Sequence, residues 1–305
     1  TTPKMQEAGR LCPNLEALEG PLAKQLVRWL ALRNRKSVVE GWLGNERLAY
    51  DGRLSAGAVG FTPTYRWKHH TVVNVPKADP SILLGVEMRQ LIRSRPGRVL
   101  VGYDASGIAA RAEAHWCYWC GGGVEYAVNL VEKDVHMETM RGVFYDKVGH
   151  LDNTERWNKD DPEIKPWRNK SKTVKYGIGF GASAAKVASM LGVSKAEAED
   201  ILERYWASAG PAAELKKKLS QFWEQTGNKQ WIKGIDGRRI RTRSEHALIN
   251  SLFQSTGAII MEYADLFMTK WLGGWTTDDE GYPCFKYKGH TIYRVIQMHD
   301  EQMYD

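Results

Sequence analysis

Apolar residues recur along this chain mostly at the helical spacing of three and four, and in limited regions at the alternating spacing of strands. Over residues 14–42, Leu22, Leu26, Trp29, Leu30 and Leu32 are punctuated by Lys and Arg, which predicts an amphipathic helix. A strand-rich section follows, with a hairpin-type signal at Asp51-Gly52 and short apolar runs at 72–75 and 99–103, the second leading into Asp104. From 105 to about 144 the pattern is helical again. The polar, Pro-containing stretch 146–167 reads as a surface insertion. Pro166 suits the first position of a helix running through Arg168 and beyond. Ser194 with Glu197 forms a capping box for another that runs to Trp206, and Pro211 opens a third that ends near Gly227. Residues 231–234 and 238–241 flank Asp236-Gly237, a β-hairpin signature, and one long helix is predicted over 246–272. The tail, 284–305, alternates like strands around His299-Asp300-Glu301.

At 305 residues the chain has about twice the usual single-domain length, which predicts two packed units around a sizeable core. No repeat, low-complexity tract or evident linker separates them, so the units are expected to interleave. A hydrophobic content of 43% with 26% charged residues is globular, and no run approaches the ~18 apolar residues of a membrane helix. Lys and Arg number 43 against 36 acidic residues, and the net charge of +7 favours a polyanionic partner. The four cysteines are too few for a disulfide scaffold and suit an intracellular chain. Cys117 and Cys120 form a C-x-x-C, but without a second Cys/His pair at zinc spacing they read as packing residues. Residues 1–10 carry neither an initiator Met nor a signal pattern, and the chain stops after Tyr304-Asp305 without a turn signal. Both ends lead us to expect a trimmed chain that is not secreted.

Two carboxylates stand at predicted strand ends almost two hundred residues apart, Asp104 after Val-Leu-Val-Gly-Tyr and Asp300 within Gln-Met-His-Asp-Glu. If both strands belong to one sheet, the acids can converge on a pair of Mg²⁺ ions; the plainer alternative is a turn aspartate in each place. Arg168, Lys172, Tyr176 and Phe180 recur every four residues, drifting about 40° per step, so they share one helical face. Two cations followed by two aromatics suit a nucleotide, because a polyphosphate near a helix N-terminus gains from both the dipole and the side chains. The plainer alternative here is a solvated charge face with core aromatics. Gly177, Gly179 and Gly181 fall in the same stretch at about 1 kcal/mol each in a helix interior, which makes sense where a backbone or a base approaches closely.

Asp104-Ala-Ser-Gly-Ile, then Arg168-x-x-x-Lys172-x-x-x-Tyr176-Gly177, then His299-Asp300-Glu301 resemble, in order and loose spacing, the three polymerase motifs of family A DNA polymerases, the bacterial DNA polymerase I family. The chain most resembles the phage replicative members, with interruptions, from about Asp51 to Tyr304. The resemblance implies an α+β right-hand fold: a partial thumb over 1–50, the first part of an antiparallel-sheet palm over 51–116, helical fingers over 117–233, and a second, truncated part of the palm over 234–305. It also implies a cytoplasmic enzyme of phage or bacterial DNA replication that adds dNTPs to a primer 3′-hydroxyl.

Carried over by position, the resemblance implies that Asp104, the carbonyl of Ala105 and Asp300 hold two Mg²⁺ ions, with Mn²⁺ as a substitute, and that Glu301 supports them. Arg168, Lys172 and His136 would meet the nucleotide phosphates, Lys172 also protonating the leaving pyrophosphate. Tyr176 would lie against the sugar. Phe180 stands where the family generally has Tyr at the template-base stack. Asn250 and Gln254, on one helical face with His246, would read minor-groove acceptors of primer–template DNA. His299 would touch the primer terminus, and Arg66 would grip the minor groove. The sequence departs from the family at Ala109, where a sugar-sensing glutamate is usual, and in lacking an exonuclease domain and much of the thumb. These departures leave two alternatives, a non-catalytic primer–template binder and a polymerase with relaxed ribonucleotide discrimination, and they point to another chain as the supplier of missing parts.

Overall fold

A computed structural model describes residues 20–72, 75–179, 181–226 and 230–305. Its frame is a three-stranded antiparallel sheet built from strands far apart in sequence: β3 (Val101–Asp104), β9 (Arg294–Met298) and β10 (Glu301–Tyr304), in the order β3-β10-β9. Register pairs Asp104 with Glu301 and Tyr103 with Gln302, so the C-terminal end of β3 meets the start of β10. Gln302 is fully buried, and its amide oxygen accepts from the hydroxyls of Tyr103 and Tyr304. Beneath this sheet, Leu272, Phe285 and Tyr304 form a small core with the meander β6 (Thr276–Thr277), β7 (Pro283–Tyr287) and β8 (His290–Ile292). A separate hairpin joins β1 (Ala58–Phe61) and β2 (Trp67–His69).

The larger core is helical. It gathers α2 (Ile108–Cys117), α3 (Gly123–Glu132), α4 (Val135–Val143), α5 (Ile164–Gly179), α6 (Ala184–Leu191), α7 (Lys195–Ser208) and α8 (Gly210–Gln225) with the hairpin β4 (Trp231–Lys233) and β5 (Arg239–Arg241). The Ser194 hydroxyl accepts from Glu197 N–H at 3.2 Å to open α7, and the Asp236-Gly237 turn closes β4 on β5, both as the sequence predicts. The long helix α9 (Leu248–Trp271) ties the two cores together. A Cβ at Gly257 would stand 3.3 Å from Ile108, so α9 lies close against α2, and Trp116 Nε1 donates to Thr256 Oγ1 across the same contact. Glu262 on α9 accepts from Trp67 of β2 at 2.7 Å and from Gln297 of β9 at 3.1 Å.

Several expectations are corrected. The predicted first helix is α1 (Pro21–Leu43), but Leu22, Leu26, Trp29 and Leu32 are exposed, and burial falls on Leu30 and Trp42. Asp51-Gly52 ends the short helix Glu46–Asp51, where the positive φ of Gly52 terminates the helix and no hairpin forms. Val72 and Val75 lie outside any strand, and residues 73–74 fall outside the described residues. The stretch 146–167 is no loose insertion: Leu151 and Ile164 are buried, and Arg141 holds Asp152 through two hydrogen bonds. Helix α5 starts two residues before Pro166, opened by the Asp161 carboxylate, which accepts from the Glu163 and Ile164 amides. Pro166 stays within the first turn, where no intrahelical N–H is needed. Among the described residues, no helix is long and apolar enough to cross a membrane.

Candidate active site

Asp104 ends β3, and the following Ala105 donates its N–H to the carbonyl of Asp300 at 2.8 Å. Strands β9 and β10 are joined by two residues, His299 and Asp300. His299 takes the left-handed backbone region at φ 57°, a conformation that costs a non-glycine residue about 1–3 kcal/mol. That strained turn delivers Asp300 to the strand end beside Asp104. Partial desolvation, and then the charge of Asp300, raise the Asp104 carboxyl above its ordinary value. Two mutually repelling carboxylates are an arrangement that a divalent cation relieves. Among the described residues no group of three or more His, Cys, Asp or Glu converges. Such a pair fits Mg²⁺, which is commonly held by one or two carboxylates with other positions left to water and substrate phosphates. The Ala105 carbonyl, accepting from Ile108 N–H at 3.2 Å, stands at the same strand end.

Around this pair lie basic and imidazole groups. Arg66 sits between β1 and β2; burial lowers its guanidinium while the charge of Asp300 works the other way, and it remains a cation. Burial lowers His299 below its ordinary value, with Arg66 and His69 adding to the effect, and its ring stands edge-on to His69 at 6.2 Å. On α9, Gln254 Nε2 donates to Asn250 Oδ1 at 2.9 Å, and Thr64 Oγ1 donates to Gln254 Oε1 at 3.4 Å. The predicted shared face with His246 is corrected: His246 lies in the one-turn segment Glu245–Ala247 before α9, and its carbonyl packs on Gly181. A Cβ at Gly181 would stand 2.2 Å from that carbonyl, and φ there is +78°, so the close approach expected of the glycine stretch occurs at this residue.

Helix α5 presents Arg168, Lys172 and Tyr176 as a stripe flanking its buried side of Ile164, Ser171, Val174 and Ile178. Phe180 lies outside the described residues. Arg168 is engaged: its Nη2 and Nε donate to Asp134 Oδ2 at 2.7 and 3.0 Å, while Asp134 Oδ1 caps α4 by accepting from the amides of His136 and Met137. Burial alone would raise Asp134, but Arg168 and these amides hold it below the usual carboxylate range. Lys172 is exposed and makes no ion pair among the described residues. The His136 ring lies 5.6 Å from that of Tyr176. Burial, opposed by Asp134 and aided by Arg168, Lys172 and Lys175, lowers its pKa to about 4.

A cavity of about 250 Å³ opens between α2, α5 and α9, and its walls include Arg66, Ala109, His136, Tyr176, Asn250 and Gln254. Six predicted site residues therefore share one pocket. The sequence reading missed two further pairs: Asp134 as the partner of Arg168, and a buried pair of Glu113 on α2 with Lys175 on α5, 2.9 Å apart. The available signal for the second was a charged residue on each helix at an apolar-face position, Glu113 between Ala112 and Ala114 and Lys175 beside Val174.

The depressed His136 gives a testable pH dependence. Its folded pKa lies below the unfolded value, so the unfolded chain binds the extra proton between about pH 6.5 and 4, and stability is lost as pH falls through that window. Acidifying from pH 7 to 4.5 should destabilise the parent more than His136→Gln, by on the order of 2 kcal/mol in denaturant unfolding. Equal losses would mean that His136 titrates normally.

The family model for DNA polymerase family A matches residues 15–305. The DNA-directed DNA polymerase of Escherichia phage Phieco32 is 26% identical over 92% of this chain and 53% of its own length. That of Escherichia phage T7 is 28% identical over 53% of this chain and 22% of its own. The thermostable DNA polymerase I of Thermus filiformis is 27% identical over 82% and 30%. This chain thus spans about half the length of the Phieco32 relative. Among solved structures, the POL domain of Pol1 from M. smegmatis, in complex with DNA primer-template and dNTP, aligns with a TM-score of 0.71 at 20% identity over 99% of this chain and 51% of that one. The shared fold is an α+β polymerase domain, and the match across nearly the whole sequence shows that the chain belongs to DNA polymerase family A.

Proposed function

We propose that this chain carries the polymerising site of template-directed DNA synthesis, in which a primer 3′-hydroxyl attacks the α-phosphorus of a dNTP. The observation that carries this reading is the meeting of Asp104, at the end of β3, and Asp300, in the turn that leads into the adjacent β10, in a member of this family. Asp104, Asp300 and the Ala105 carbonyl would hold Mg²⁺, or Mn²⁺ in its place, with Glu301 in support. Bound there, the metal supplies Lewis-acid stabilisation of charge on the reacting oxygens. Arg168, Lys172 and neutral His136 line the approach for the triphosphate, and Lys172 is the proton donor to the leaving pyrophosphate. Tyr176 faces the sugar, and Phe180 is assigned to the template-base stack. Arg66, Asn250, Gln254 and His299 contact the primer–template. Residues 51–116 and 234–305 form the palm, 117–233 the fingers and 1–50 part of a thumb, acting in phage or bacterial replication in the cytoplasm. Mg²⁺-dependent primer extension by the chain, with any partner that completes it, tests the reading. Binding of primer–template without extension would instead leave a non-catalytic binder.

Ala109 favours one refinement. It lines the pocket with Tyr176 yet offers only a methyl group. Forcing extra atoms into a closed pocket typically costs about 1–3 kcal/mol, so a larger side chain here should exclude a 2′-hydroxyl. Ala109→Glu is expected to raise the ratio of kcat/KM for dNTP over rNTP by about ten- to a hundredfold. An unchanged ratio would show that 109 does not face the sugar.

A further inference from the structure

Glu113 and Lys175 are buried charges that the proposed chemistry does not use. Both line the cavity that also holds Ala109 and Tyr176. Lys175 Nζ donates to both Glu113 oxygens, at 2.9 and 3.1 Å, and the Tyr126 hydroxyl donates to Oε1 at 3.4 Å. The two side chains are only 8% and 13% exposed. Burial works to lower the Lys175 ammonium, and Glu113, with Tyr205 and Cys117, more than reverses it, so Lys175 keeps its charge beside Glu113. A buried ion pair is weak evidence for stability, because apolar residues of similar size often serve as well. Its place asks for another reason.

That place is specific. Glu113 lies one helical turn beyond Ala109 on the same face of α2, and Lys175 immediately precedes Tyr176 on α5. The pair joins two residues 62 apart in sequence and sets how α5 is turned about its own axis at the point where it enters the pocket. A rotation of about 10° would carry a side-chain tip some 6 Å from the axis through about 1 Å. Displacements of that size matter in a reacting site, where 1 Å can change rates by about a hundredfold.

We propose that the Glu113–Lys175 ion pair is a positioning element for sugar recognition: it holds Tyr176 over the space left by Ala109, so that the ring itself discriminates against ribonucleotides. The proposal rests on the polymerase reading of the pocket. Removing both charges together, in Glu113→Leu with Lys175→Met, avoids stranding one of them. The measurement is kcat/KM for dATP and for ATP in primer extension. A purely structural role would scale both substrates alike, leaving their ratio untouched, whereas a displaced Tyr176 should lower the ratio about tenfold or more. A ratio within twofold of the parent, with the thermal midpoint retained, overturns the proposal. Should the double variant fail to fold, Glu113→Asp keeps the charge and retracts it by one methylene; a drop of about threefold or more is then expected, and an unchanged ratio overturns the proposal. If the parent extends no primer at all, the polymerase reading fails instead. The pair is then judged by the Kd ratio for dATP and ATP titrated into chain bound to dideoxy-terminated primer–template, under the same two criteria.

Discussion

Asp104→Asn and Asp300→Asn should each lower primer extension by at least about a thousandfold while leaving primer–template affinity within about twofold. The two residues meet because β3 and β10 pair in a register that sets Glu301 opposite Asp104, and because the left-handed His299 turns the chain so that the Asp300 carbonyl accepts from Ala105. Asparagine preserves that geometry and removes one negative charge, so the loss reports the charge and not the fold. The sign of the electrostatics gives a control. Asp104 has a raised folded-state pKa, so its ionised form opposes folding, and that effect is relieved as the group is neutralised. The Asp104→Asn variant should therefore unfold at a temperature no lower than the parent. An inactive variant that also melts early would point to a structural defect, and retained extension would remove the carboxylate pair from the chemistry. Duplex affinity stays because phosphate contacts by basic residues set it.

Much of this architecture could be read from local rules, because those elements are decided within a few residues. Ser194 with Glu197 caps α7, Asp236-Gly237 turns β4 into β5, and α9 follows its period almost from end to end. The carboxylates were legible as strand-end acids, but whether β3 and the tail share a sheet depends on pairing across about two hundred residues, which no local signal encodes. Gly52 shows the reverse ambiguity, since a positive φ serves a helix end as well as a hairpin. The stretch 146–167 misleads because polarity outweighs three buried anchors, Val148, Leu151 and Ile164, in any window average. Within the site, the face shared by Arg168, Lys172 and Tyr176 followed from spacing alone. What each cation touches did not. Arg168 reaches Asp134, 34 residues away, and Lys175 reaches Glu113, 62 away. Partners at that distance are fixed by how α2, α4 and α5 pack.

Those partners decide which cation on α5 stays available to a triphosphate, and that makes Lys172→Ala the second large expected effect. Arg168 is held by Asp134 and Lys175 by Glu113, whereas Lys172 is exposed, makes no ion pair among the described residues, and lies close enough to His136 to depress its pKa. It sits one turn from Arg168 on one side and one turn from Tyr176 on the other, so its ammonium is the solvent-exposed donor of the stripe. Charge on a leaving pyrophosphate develops only as the bond breaks, so a residue that meets it acts on the rate more than on ground-state binding. Losing such a donor costs about 3 kcal/mol, or roughly a hundredfold in nucleotide incorporation. Primer–template affinity should change by less than about twofold, and its dependence on salt should keep the parent slope. A residue that touched the duplex would behave differently, weakening DNA binding across sequences and reducing the salt slope by about one. If Lys172→Ala shows that second pattern, or lowers rate and affinity equally, the ammonium belongs to the DNA groove and the proton for the pyrophosphate comes from elsewhere.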